Sequence, residues 1–180
     1  MSGNRGNSTL KPCVLKGNDN LLICHDLSHF ADYEDQLFQI FLSVYEHGRI
    51  NYHKIPVHMK HYPPDYGERS GFYHLICENY QHTGMEEDRS PNLRRCERLK
   101  WPQKIIEHCA GACPELLIWE NERRGKVNIL LFCPELDYIV VLGKRNNYLL
   151  LVTAYPVDYP NRRRNLLAEY NQYMQTTHSV

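Results

Sequence analysis

No stretch of this 180-residue chain is apolar over the 20 or so residues that crossing a bilayer takes, so no membrane partner is expected. The N-terminus, MSGNRGNSTL, has no apolar core of the kind a secretory leader carries, and a cytoplasmic location follows as the expectation. Neither sign of charge is in excess: 21 Lys and Arg balance 21 Asp and Glu. A neutral chain is a poor general polyanion binder, so any nucleic-acid contact must come from a local basic patch. Cysteine pairs at knuckle spacing are missing. The seven cysteines, odd in number and scattered from Cys13 to Cys133, do not form the even framework of a small secreted domain. Cys109 and Cys113 with His108, and Cys24 with His25 upstream, offer soft ligands, but no second matching pair completes a zinc site. The expectation is no metal, no cofactor, and cysteines serving as small apolar residues in a reducing compartment. A phosphate-cradling glycine loop, a Ser-His-Asp order, paired catalytic carboxylates, internal repeats and low-complexity tracts are absent as well.

What is present is a chain with 42% hydrophobic residues, too apolar for disorder and enough for a real core. Residues 1–50 read as a polar arm, a short strand near Leu21 to Cys24, and an amphipathic helix from Ala31 to Glu46. That helix repeats Tyr33, Leu37, Ile40, Phe41, Val44 and Tyr45 at helical spacing, and Gly48 stops it. Residues 51–180 form the main unit. Asn51 to Met59 alternates loosely, as an edge strand does, and Gly71 to Asn79 is a short apolar run, strand or helix. The polar stretch from Gln81 to Ser90 reads as a loop. A helix with Pro91 at its first position follows, interrupted or ended at Pro102.

Four apolar runs then alternate with short turns: Leu116 to Glu120, Val127 to Phe132, Tyr138 to Leu142 and Tyr148 to Ala154. This spacing predicts an antiparallel meander, covered by a last helix from Tyr159 to about Tyr173. The fold class expected is α+β: N-terminal helices, a four-stranded antiparallel meander sheet and a C-terminal helix.

Chemistry concentrates in the segment from Asn92 to Lys104. Arg94, Arg95, Arg98 and Lys100 crowd a short helix, with Arg94 and Arg98 on one face. Guanidiniums that converge repel one another unless an anion lies among them, and their fork matches a phosphate. The same run also reads as a solvated face with Glu97 paired to an arginine. His74 lies in an apolar setting, suited to proton transfer near neutral pH or simply to a satisfied core position. Thr153 and Tyr155 share one face at the polar end of an otherwise apolar strand, as phosphate donors or as ordinary strand formers. Lys144 and Arg145 occupy the preceding turn. Arg162, with Arg163 and Arg164, opens the last helix, where cations oppose the helix dipole and an anion would relieve them.

The segments FYHLI, DRSPNLRRCERLKWPQKIIE, WEN followed by ILLF, YIVVLGKRNNYLLLVTAYPV and NRRRNLLAEY, in that order, resemble the phage- and plasmid-borne nucleases of the barnase–EndoU–colicin–RelE superfamily. The resemblance spans roughly residues 51–173; the neutral net charge and the Cys109 to Cys113 segment depart from it. It implies a RelE/barnase-like fold and a metal-independent endoribonuclease acting by 2′-hydroxyl transesterification. It implies a toxin of a toxin–antitoxin or phage-defence module, with RNA as substrate and a cognate antitoxin as partner. Carried onto this chain, it assigns His74, Arg94, Arg95, Arg98, Thr153 and Tyr155 to catalysis and Lys100, Lys144, Arg145 and Arg162 to substrate binding. The competing reading is a noncatalytic module that binds RNA or a protein through the same basic helix.

Overall fold

The computed structural model describes residues 21–60, 67, 69–79, 88–109 and 113–177. The loop expected between Gln81 and Ser90 falls mostly outside these residues, as does the N-terminal arm. Among the described residues, 21–24 pair with no strand; instead the Leu22 amide donates to the Glu97 carbonyl at 2.8 Å, and Tyr33 donates to the Leu22 carbonyl at 2.6 Å.

Helix α1 (Phe30–Phe41) turns Leu37, Phe38 and Phe41 inward. It runs on through a wider π-helical turn, Leu42–Glu46, which buries Tyr45. A hairpin follows: β1 (Asn51–Tyr52) and β2 (Ile55–Met59). Its two turn residues, His53 and Lys54, both have positive φ (47° and 70°), the geometry whose twist matches a right-handed strand pair. The single edge strand expected over Asn51 to Met59 is thus two strands.

The run Gly71 to Asn79 is helix and then strand: α2 (Ser70–Ile76) and β3 (Cys77–Asn79), which pairs with β4 (Arg89–Pro91). Pro91 therefore ends a strand. Asn92 caps the next helix, its side chain accepting from the Arg95 amide, as a good N-cap residue does. The basic segment breaks into α3 (Leu93–Glu97) and α4 (Trp101–Lys104), the latter extended by a π-helical turn, Ile105–Cys109.

The four expected strands of the meander are β5 (Leu117–Arg123), β6 (Lys126–Cys133), β7 (Tyr138–Lys144) and β8 (Leu149–Pro156), each antiparallel to the next. The sheet, however, is not a four-stranded antiparallel meander. It has six strands in the order β1-β2-β8-β7-β6-β5, and β2 runs parallel to β8, with Val57 opposite Leu149 and Met59 opposite Leu151. The physical reason is legible in β8: Leu149-Leu150-Leu151-Val152 is apolar on both faces, which suits an interior strand rather than an edge. The α+β class stands; the sheet is larger and mixed.

Alternation divides the sheet residues between two cores. Ile129, Leu131, Val140, Leu142, Leu149 and Leu151 join α1, α2, α3 and α4 on one face. Trp119, Leu130, Phe132 and Ile139 meet α5 (Pro160–Thr177) through Leu166 on the other.

Glu169 pins α5 to the sheet. It accepts from Trp119 Nε1 (3.1 Å), from Arg123 (3.1 Å) and from Asn121. Burial alone would raise its carboxyl. The bonds from Asn121 and Trp119, with the Arg123 charge, outweigh this and hold it below the ordinary value. A depressed carboxylate adds stability above the unfolded value, near pH ~4.3, and loses it as pH falls through the lower folded value. Thermal melts from pH 6 down to about pH 3 should therefore fall less steeply for Glu169→Gln than for the wild type.

Candidate functional site

Arg95, Arg162 and Tyr155 converge at one end of the sheet, where β8 leaves it. Register explains how. Along β8, Leu151 faces Leu142 but Thr153 faces Val141, so Val152 is an extra, bulged residue. Bulges bend a strand and re-aim the side chains beyond them. Leu149 and Leu151 lie in the core under the helices α1 to α4. Past the bulge it is Ala154 that joins that core, and Tyr155 packs with the α5 side instead.

His74 holds the bulge. Its Nε2 lies 2.5 Å from the Val152 carbonyl oxygen, an acceptor only, so Nε2 carries a proton and donates it. Nδ1 is buried. With one nitrogen committed and the other shielded, His74 is arranged to position β8.

Tyr155 is the meeting point. Arg162 of α5 donates two N–H groups to its hydroxyl, at 3.0 and 3.2 Å. The Arg95 guanidinium lies over its ring, 5.4 Å from the centroid, within cation–π range. Its oxygen is thus an acceptor toward Arg162, and a phenol O–H can donate in a second direction.

Arg95 is confined, with 12% of its side chain exposed. It donates to the Cys77 carbonyl at 3.0 Å, and Arg89 donates to the same oxygen at 2.7 Å. Burial lowers its affinity for the proton, Glu78 opposes that, and Arg89 adds to it. Glu78 is 3.9 Å from Arg95 Nε, and that buried N–H has no hydrogen-bond acceptor among the described residues. The field reaches the buried Tyr138 beside it: burial drives that phenol well above its ordinary value, and the charges of Arg95 and Arg98 pull the other way.

The remaining residues separate. Arg94 pairs with Asp158, in the link between β8 and α5. Arg98 binds Glu97 at 3.1 Å and the Arg94 carbonyl at 3.0 Å, and packs over Trp101 at 5.0 Å. The single clamp face expected of Arg94, Arg95 and Arg98 is therefore three different environments, because α3 ends at Glu97. Lys100 occupies the position before α4. Thr153 makes no side-chain hydrogen bond among the described residues.

Lys144 and Arg145 lie elsewhere. Lys144 is opposite Leu149 while Tyr155 is opposite Ile139, six residues along β8, or about 20 Å. Lys144 pairs there with Glu120 at 2.5 Å. Of the last basic run, Arg162 reaches the site, Arg163 binds Asp137 at 2.8 Å and Arg164 binds Asn161.

Arg89, Glu78 and Asp158 were not among the expected residues. Arg89 belongs to a polar stretch that reads as loop. Its one sequence signal is its place two residues before Pro91, in the same DRSPNLRR segment as the arginines it joins.

Among the described residues no three His, Cys, Asp or Glu side chains gather as a metal site requires, and no helix is long and apolar enough to cross a membrane. None of the family models, curated proteins or solved structures compared with this chain matches it.

Proposed function

We propose that this protein is an endoribonuclease that cleaves RNA by 2′-hydroxyl transesterification without needing a metal ion. The observation that carries the reading is the convergence of two guanidiniums, Arg95 and Arg162, on the Tyr155 phenol at the sheet end. This arrangement offers charge and directed N–H groups to a phosphodiester, and an O–H beside it. Preorganised donors of this kind stabilise charge growing on a phosphorane, and the nucleophile is already part of the substrate.

In this reading Arg95 and Arg162 bind the scissile phosphate. The 2′-hydroxyl oxygen bonds to phosphorus and gives its proton to a solvent base. The P–O5′ bond breaks as Tyr155 gives its hydroxyl proton to the leaving 5′ oxygen, and solvent reprotonates the phenolate. His74 sets the bulge that aims Tyr155, and Arg94 fixes the β8–α5 link through Asp158. Thr153 lies two residues before Tyr155 on β8, and Lys100 is assigned to substrate binding by the sequence resemblance. The setting as a toxin with a cognate antitoxin belongs to the same proposal and rests on the sequence resemblance.

One observation favours the noncatalytic RNA- or protein-binding module: Arg94 and Arg98 are already matched to carboxylates within the chain. Incubating the purified chain with RNA in EDTA separates the two. Cleavage of RNA, with DNA of the same sequence left intact, is expected. Intact RNA that nevertheless binds tightly would establish the module instead.

A further inference from the structure

Few large apolar side chains are exposed among the described residues: Ile23, Leu27, Ile55, Leu93 and Tyr159. Tyr159 is the aromatic one, 64% exposed. It has no ring partner and no side-chain hydrogen bond among those residues. Its place is not incidental. It follows Asp158 directly, and Leu93 precedes Arg94, so the Arg94–Asp158 pair brings the starts of α3 and α5 together with an apolar group beside each. The Tyr159 carbonyl accepts the Arg163 amide at 3.1 Å, the first bond of α5, which makes Tyr159 the N-cap and Arg162 the third helical residue. The N-cap and the third helical residue are the two positions that reach one another across the first turn in a capping box. Arg162 in turn holds Tyr155. Tyrosine is a poor choice for capping, where Ser, Thr, Asp or Asn would supply a bond. Here the position presents an exposed ring at the end of the helix that carries Arg162.

We propose that Tyr159 stacks against the nucleobase adjoining the phosphate bound at Arg95 and Arg162, as the base-recognition residue of the site. The proposal rests on the reading of that site as an RNA site. A ring flanking guanidiniums is how proteins hold single-stranded RNA, with bases on aromatic faces and phosphates on cations. One ring and one leucine are too small a patch for a stable protein interface, which favours a base as the occupant.

The test uses the full chain and a short RNA made uncleavable by 2′-O-methylation, with Kd read by fluorescence anisotropy. Y159A is expected to weaken binding roughly 10-fold or more. Y159F, which keeps the ring, binds as the wild type does, and Y159W binds with its indole emission quenched. An abasic nucleotide scanned along the strand should weaken the wild type at one position and leave Y159A indifferent there. Equal Kd for the wild type and Y159A overturns the stacking role while leaving the RNA site standing. No RNA binding by the wild type overturns both. Weakened binding by Y159A, in a chain that does not cleave unmodified RNA, upholds the stacking role and overturns only the catalytic reading.

Discussion

Arg162→Ala and Tyr155→Phe are each expected to lower kcat/KM for RNA cleavage by roughly 100- to 1,000-fold, the usual effect of deleting one preorganised donor. The two act differently. Removing the Arg162 guanidinium deletes a cation and both N–H bonds to the phenol. Removing the Tyr155 hydroxyl leaves the cations but takes away the proton donor. The two residues share one hydrogen bond, so their effects should not add: the double variant should lie close to the worse single one. Arg162→Lys should recover part of the activity, since it restores charge but not the fork. Both residues are only partly buried. Circular dichroism and melting temperature should therefore stay near wild type, and steady-state kinetics on a short RNA would read the loss.

The largest stability effect is expected from Phe41→Ala, at about 3–5 kcal/mol. Phe41 is fully buried and its ring meets Phe38, Tyr45 and Phe72. It also lies on the backbone of α2: a Cβ added at Gly71 would come within 3.1 Å of its Cζ, so helix and ring are packed with no room between them. Truncation opens a cavity that the surrounding rings, held by one another, cannot collapse into. In a chain of this size that loss corresponds to a fall of roughly 10 °C in melting temperature, measured by calorimetry. Because α2 carries His74, the same variant should lose cleavage activity at temperatures well below its melting point.

The local parts of the fold were legible and the long-range parts were not. The meander strands could be read because each turn is short and marked, as at Arg124-Gly125, where both residues adopt positive φ. The parallel pairing of β2 with β8 has no local mark: it joins residues about ninety positions apart, as Val57 and Leu149 show, across a long crossover. Only the doubly apolar Leu149 to Val152 run hinted that β8 is interior.

The site was half legible for the same reason. Arg95, Arg162 and Tyr155 were expected and come together. The bulge at Val152 was invisible in sequence, yet it decides which face Tyr155 takes and what His74 binds. The arginine spacing implied one shared face, which needs an unbroken helix; α3 lasts five residues, so Arg98 falls beyond it. Lys144 and Arg145 looked adjacent to Thr153 and Tyr155 along the chain, but an extended strand carries them to opposite ends of the sheet.

The most direct test of the central claim is mass analysis of the products from an oligonucleotide carrying a single ribonucleotide in a DNA strand, cut in EDTA. Transesterification at the Arg95–Arg162–Tyr155 site predicts one cut, 3′ of that ribonucleotide, leaving a 2′,3′-cyclic phosphate and a 5′-hydroxyl. A 5′-phosphate product, or cleavage that continues when that ribonucleotide is replaced by deoxyribose, would contradict it.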